Sequence, residues 1–238
     1  MKYVVIHPKI AEESAHLLAE ALDCPCINPY ETKDYMFSKK NYDLVINYGV
    51  SSPTKGAKKL NKSAAVKLTK NKLECFDALE DTPKILHTTD YNTARAWIQQ
   101  GRTVVVRKVI DADNSKGIFF CNTLQQLGKH KDAPLFTRYI EHTNEYRVNV
   151  FQGKVLSVYD KTVVNGFFKF KLQVLMEKTK KLQEIAKIVY EKTGIDWCGI
   201  DLLKTAKGNY FILEVNSAPI LFPYTIKKLV HEIKQLND

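Results

Sequence analysis

Long apolar runs are missing from this chain. No stretch approaches the roughly 20 residues that cross a bilayer. The opening Met1–Ser14 holds only the short run Val4-Val5-Ile6, too little for the apolar part of a secretory leader. The cytoplasm is the expected compartment, with no membrane partner. Cysteine is scarce: the five residues Cys24, Cys26, Cys75, Cys121 and Cys198 match no zinc signature, and Cys24-Pro25-Cys26 has no second pair. That excludes a stapled scaffold, and the cysteines are expected to be reduced and structural. The 10 glycines form no Gly-x-Gly-x-x-Gly after the first apolar run, which excludes a dinucleotide fingerprint there. The 6 histidines fall into no Ser-His-Asp or Cys-His constellation. Internal repeats and low-complexity tracts are also absent.

What is present is an ordinary globular composition, 45% hydrophobic and 26% charged, over 238 residues. This suits one large domain or a few packed subdomains. The net charge of +10 favours polyanions such as nucleotides, nucleic acid or an acidic polypeptide. Much of the excess is helical lysine, which reads first as solvated helix faces. A nucleic-acid partner is the less favoured reading, since no aromatic–basic motif accompanies the charge.

Apolar periodicity organises the chain. Lys2–Ile6 and Leu44–Tyr48 read as strands around a helix over Ile10–Leu22, a β-α-β opening with a small parallel sheet over residues 1 to about 55. Lysine-rich helices follow up to Leu79, then a helix over Tyr91–Gln100. Thr103–Ile110 and Ile118–Cys121 are strands around the polar loop Asp111–Gly117. Pro134–Ile140, Glu145–Phe151 and Lys154–Tyr159 are further strands, and Thr162–Lys171 reads as a loop. A long helix is expected over Leu172–Thr193, then strands Trp197–Leu203 and Asn209–Val215 and a closing helix Tyr224–Leu236.

The last two strands carry the clearest chemistry. With a tight turn at Lys207-Gly208, Asp201 faces Glu214 and Leu202 faces Leu213. Opposed residues share a sheet face and successive residues alternate. One face then holds Asp201, Glu214 and Asn216, while the other holds Ile200, Leu202, Leu213 and Val215 and belongs in a core. Two adjacent carboxylates repel unless a cation sits between them. Two acids plus an amide oxygen suit Mg²⁺, with Mn²⁺ as an alternative. On this reasoning, neutralising either acid relieves repulsion in the metal-free protein.

Gly199-Ile200-Asp201 followed by Leu213-Glu-Val-Asn-Ser-Ala-Pro219 resembles the metal-binding signature of the ATP-grasp superfamily. In flavour it is closest to small ATP-grasp proteins of bacterial viruses. The resemblance runs from about Asn61 to the end of the chain. It implies an α+β ATP-grasp fold, two α+β subdomains gripping ATP, at 61–135 and 136–238. A small α/β pre-ATP-grasp domain precedes them at 1–60. It further implies ATP and Mg²⁺ as cofactors, with Asp201, Glu214 and Asn216 on the metal.

Other positions carry over one at a time. Lys72, after Asn71, resembles the early lysine that reaches the nucleotide phosphates; the plain alternative is a solvated lysine. Val104-Val-Val-Arg-Lys108 resembles the strand whose basic residue grips the α- and β-phosphates, so Arg107, with Lys108 beside it, takes that place. Ser115-Lys116-Gly117 resembles the phosphate-covering lid. Pro134–Ile140 resembles the hinge where main-chain groups around Thr137, Arg138, Tyr139 and Ile140 read the adenine edge, and Glu145 the acid that binds ribose. Arg147, on the same strand face as Glu145, could instead pair with it. Lys161 resembles the basic residue at the γ-phosphate. The family's arginine just before the first metal ligand is missing, and Arg147 is the candidate to compensate. Arg107, Arg147 and Lys161 are thus the expected catalytic cations.

The implied reaction activates a carboxylate as an acyl phosphate and joins it to an amine of an amino acid, peptide or protein terminus. A kinase acting on a hydroxyl, or a binding module without turnover, are the alternatives. The first 55 residues and Thr162–Lys171 are the expected substrate contacts.

Overall fold

A computed structural model describes residues 1–31, 41–52, 57–110 and 117–236. Three sheets form its frame. The first is built from β1 (Tyr3–Ile6), β2 (Cys26–Ile27), β3 (Leu44–Asn47) and β4 (Lys58–Leu60), all parallel, in the order β2-β1-β3-β4. Every residue of β1 and β3 is buried, as expected of parallel strands covered on both faces. The expected β-α-β opening is therefore there; β2 and β4 are too short to leave a periodic trace. Helix α1 starts at Glu12 and runs to Leu22, burying Ala15, Leu18, Ala19 and Leu22. Ile10 stands before it in a 3-10 turn and stays exposed.

After α2 (Ser63–Lys70) and α3 (Lys72–Ala78) comes an antiparallel sheet ordered β5-β8-β6-β7. It comprises β5 (His87–Thr88), β6 (Val104–Arg107), β7 (Ile118–Cys121) and β8 (Leu135–Arg138), with α4 (Tyr91–Gln99) and α5 (Leu124–Gly128) packed on it. Side-chain capping fixes the starts of α3 and α4. The Asn71 side chain accepts from the amides of Leu73 and Glu74, and Asp90 does the same for α4.

The third sheet carries the carboxylates. Its strands are β9 (Asn144–Phe151), β10 (Lys154–Val164), β11 (Phe167–Leu172), β12 (Trp197–Lys204) and β13 (Tyr210–Asn216), in the order β11-β10-β9-β12-β13. Thr162–Lys171 is not a loop but a hairpin. Asn165 and Gly166 at its tip have φ of 54° and 80°, the left-handed pair that a tight type I′ turn needs. For the same reason the expected long helix is shorter: β11 consumes its start, a 3-10 turn follows at Val174–Lys178, and α6 spans Lys180–Thr193.

The β12–β13 register holds where it matters and slips elsewhere. Asp201 faces Glu214 and Ile200 faces Val215, but a bulge then sets Leu202 opposite Ile212. Ile212 thus takes the core place expected for Leu213. Leu213 is turned to the other side, against a cluster with Phe76, Ile85, Leu135 and Leu203. One face of this sheet packs on α6 and α2. The other meets the first sheet, α1 and α7 (Pro223–Gln235) through Phe151, Leu156 and Trp197. Asn61 seals that junction, exchanging side-chain hydrogen bonds of 2.8 Å with both main-chain groups of Trp197. Among the described residues, no helix is long and apolar enough to cross a membrane.

Candidate active site

A cleft of about 570 Å³ opens where the three sheets converge. Pro8 and Tyr48-Gly49 line it just beyond β1 and β3. Parallel sheets offer ligands such a crevice where strand order reverses. Gly49 (φ 91°) permits the close approach of the loop after β13, since a Cβ there would lie 2.8 Å from the Ala218 Cβ. Tyr48 donates its hydroxyl hydrogen to the Pro219 carbonyl and pins the same loop.

Strand register builds the floor. Arg147 on β9 lies opposite Asp201 on β12, and Asp201 lies opposite Glu214 on β13, so the three side chains form one row on one face. Arg147 grips both oxygens of Asp201, through Nε and, at 3.1 Å, through Nη2. Lys161 on β10 donates to Asp201 Oδ2 at 3.0 Å and also to Glu145. Lys72, from the first turn of α3, lies 3.2 Å from Glu214. Three cations therefore balance the acids, and the repulsion expected between Asp201 and Glu214 is answered by the protein itself. Burial opposes the charge of Asp201, only 2% exposed, yet Arg147 and Lys161 outweigh it and hold the carboxyl below the usual range. Burial equally opposes charge on Lys161 and Arg147, but Asp201 raises both above their ordinary values. The alternative pairing of Arg147 with Glu145 is not the one formed, because register sets Lys161 opposite Glu145.

Gly199 has a further role at the floor. A Cβ on it would meet the Arg147 Cδ at 2.8 Å and the Pro219 Cβ at 2.7 Å. The space beside the first carboxylate, left empty on β12, is filled from β9 by Arg147.

Arg107 enters from the second sheet and also lines the cleft. It is 6% exposed, its Nε has no hydrogen-bond partner, and it forms no ion pair with a described residue. Burial lowers its pKa and Glu214 offsets part of the effect, but a guanidinium remains charged. A buried, underused cation is costly unless an anion satisfies it. Asn216 lines the same space without a side-chain hydrogen bond to a described residue. The donor set of Asp201, Glu214 and Asn216, hard oxygens on two adjoining strands, fits Mg²⁺.

The other expected contacts fall differently. Lys108 is exposed and lies over the Phe119 ring, 5.3 Å from its centroid, outside the cleft; the strand's alternation sends it away from Arg107. Thr137 is buried, with its hydroxyl turned to the Val105 carbonyl. The amides of Arg138 and Tyr139 are spent on Leu86 and Thr103 at 2.8 and 2.9 Å, so neither N–H is available to read an adenine edge. Ile140 packs beside Leu213 and Phe211. Gly117 accepts from the Lys108 amide at 2.9 Å, while Ser115 and Lys116 lie outside the described residues. Sequence reasoning missed the loop Ser217–Leu221 as a cleft wall, and within the first 55 residues and Thr162–Lys171, the segments expected to touch substrate, it did not single out Gly49 or the pair Phe168 and Phe170 of β11. Asn165-Gly166 between β-branched and aromatic residues was the signal for that last pair.

A probable alpha-L-glutamate ligase of Enterobacter sp. (strain 638) is 25% identical over 184 residues, 69% of this chain and 61% of the relative. The chain thus spans less than two thirds of that relative's length. The solved ATP-grasp ligase PsnB, complexed with a phosphomimetic variant of minimal precursor, Mg and ADP, superposes with a TM-score of 0.74 at 13% identity, covering 100% of this chain and 99% of that one. D-alanyl-alanine synthetase A from Vibrio cholerae gives 0.71 at 17%, covering 97% and 93%. These likenesses establish the ATP-grasp fold over the full length, and they do not support the expected closeness to viral proteins. The RimK-like ATP-grasp domain matches residues 58–233, and the chain belongs to that family.

Proposed function

We propose that the chain is a Mg-ATP-dependent ligase that joins a carboxylate to an amine. The observation that carries the reading is the convergence in one cleft of an Asp–Glu–Asn oxygen set with the buried Arg107, whose Nε has no hydrogen-bond partner among the described residues. Supporting it are the family, the glutamate ligase relative, and the Mg and ADP named with PsnB.

Asp201, Glu214 and Asn216 would hold Mg²⁺, which neutralises phosphate charge when bound. Arg107 grips phosphate oxygens with its fixed fork. Lys161 and Arg147 steady the transferred phosphoryl group, with Arg147 standing where Gly199 leaves room. Lys72 adds charge at Glu214. Adenine fits the apolar group of Ile140, Phe211 and Leu213, to which the bulge turns Leu213. Glu145 is the ribose acceptor, shared with Lys161. The substrate carboxylate takes the terminal phosphoryl group and releases ADP. The amine then forms the C–N bond as the acyl C–O bond breaks, phosphate leaves and a proton passes to solvent. Positioning and charge supply the catalysis, without a covalent enzyme intermediate. The three-part division at 1–60, 61–135 and 136–238 goes with this reading, each part holding one sheet but for the end of the second.

The test incubates the full chain with ATP, Mg²⁺ and a panel of amino acids and dipeptides. ADP and phosphate should appear together, only when an acid and an amine are both present, with a condensed product by mass. A phosphorylated product without free phosphate would overturn the ligase reading in favour of a kinase; turnover undiminished in Asp201→Asn would overturn the metal assignment.

A further inference from the structure

Away from the carboxylates, one group of three metal-ligating side chains converges among the described residues: His7, His16 and Cys26, whose ligand atoms all lie within 4.8 Å of one another. His7 follows β1 directly, His16 lies on α1 and Cys26 on β2. Strand pairing sets Cys26 opposite Val5, so Cys26 and His7 share a face of the first sheet, and His16 reaches them from α1. The His7 and His16 rings stand edge to face, 5.6 Å between centroids.

The environment of His7 adds an independent observation. Its Nδ1 lies 3.1 Å from the Pro8 carbonyl oxygen. A carbonyl only accepts, so Nδ1 is the donor and Nε2 is the ring nitrogen left to face a metal. Metal-binding histidines are held in this way, the second ring nitrogen donating to a carbonyl or carboxylate that fixes tautomer and orientation. His7 is buried, 3% exposed, so this orientation is not a surface accident. Glu12, one helical turn before His16 and 3.9 Å from its Nε2, offers a fourth donor.

We propose that His7, His16 and Cys26 form a second metal site for a borderline divalent cation of the Zn²⁺ class, distinct from the oxygen-lined Mg²⁺ centre. Two imidazoles and a thiolate select zinc over Mg²⁺, which prefers oxygen. Tetrahedral zinc places such donors about 3.5 Å apart, so binding draws the three side chains together from separations of up to 4.8 Å. A metal there ties the end of β1 to α1 and β2. Pro8 and Ile10, on the cleft wall, follow directly, so occupancy would stiffen that wall.

The test titrates the full chain with Co²⁺ in excess Mg²⁺ and follows optical absorption. A thiolate-to-cobalt charge-transfer band should grow to one equivalent and be displaced by Zn²⁺; oxygen ligands at the carboxylates give no such band. Cys26→Ser should abolish the band and Cys24→Ser should keep it. His16→Ala, at an exposed position that tolerates truncation, should weaken Zn²⁺ binding at least about tenfold, the scale set by losing one ligand or its support. No band in the unaltered chain, a band surviving in Cys26→Ser, loss in Cys24→Ser, or unchanged zinc affinity in His16→Ala would each overturn the proposal.

Discussion

At the scale of single residues, the site is a balance of buried charges, and removing one side upsets the other. Asp201→Asn leaves Arg147 and Lys161 facing a neutral amide in the interior. We expect a loss of stability on the order of 3 kcal/mol, read by urea unfolding, the reverse of the gain that repulsion alone predicts. The pH dependence follows from the depressed folded value of Asp201. Its contribution is complete above its unfolded value near 4 and is lost as pH falls through the folded one. The gap between native and Asp201→Asn proteins should therefore narrow only in acid; a constant gap down to pH 2 would refute the pairing. Arg107 behaves oppositely. As a buried cation with no ion pair to a described residue it costs stability without ligand, so Arg107→Ala should lower ATP affinity at least tenfold without lowering apo stability. Arg107→Lys should recover only part of the affinity, since an ammonium lacks the fork. Calorimetric titration of both variants checks this.

Among the elements, the β12–β13 pair shows how far pattern reading reaches. Asp201 and Glu214 were legible as partners because an apolar face of Ile200, Leu202 and Val215 pins the register near them. The bulge was not, because Ile212 and Leu213 are both apolar and either can fill the core place; tertiary packing against Phe76 and Leu135 decides. The Arg147–Asp201 pair was hidden for another reason: it joins residues 54 apart in sequence whose strands are neighbours only in the folded sheet. The β10–β11 hairpin was legible and misread, since Asn165-Gly166 announces a turn between Val163-Val164 and Phe167-Phe168. Holding Asn165 left-handed is tolerable for Asn; an alanine pair at 165 and 166 should cost about 1–2 kcal/mol per residue. Thermal unfolding of the double variant reads this loss. Its effect on ATP affinity should be small, because the tip stands beyond Lys161.

The whole molecule places its cleft at a junction of three sheets, so ligand binding should register as global stability. ATP with Mg²⁺ is expected to raise the unfolding free energy by about 2.7 kcal/mol at a hundredfold excess over Kd. Asn216→Ala should remove most of the increment that Mg²⁺ adds to ATP alone, as differential scanning calorimetry would show. The opening β-α-β unit and most of the longer helices and strands were legible along the chain because each has its own apolar period. The way the first sheet sits on Trp197 and Phe151 was not, because it depends on side chains far apart in sequence. The third sheet has two different margins. On β13 the Ile212 amide and carbonyl are taken by Pro83 and Ile85, which closes that side. β11 is the last strand on the other side among the described residues, with Phe168 and Phe170 turned to the cleft and Lys169 and Lys171 exposed. An unpaired strand with apolar residues is a template for recruiting further chains, and lysines along it are the common protection. By that rule the charge of Lys169 and Lys171 opposes strand addition at the rim of the cleft, on the same strand that furnishes the cleft's aromatic wall.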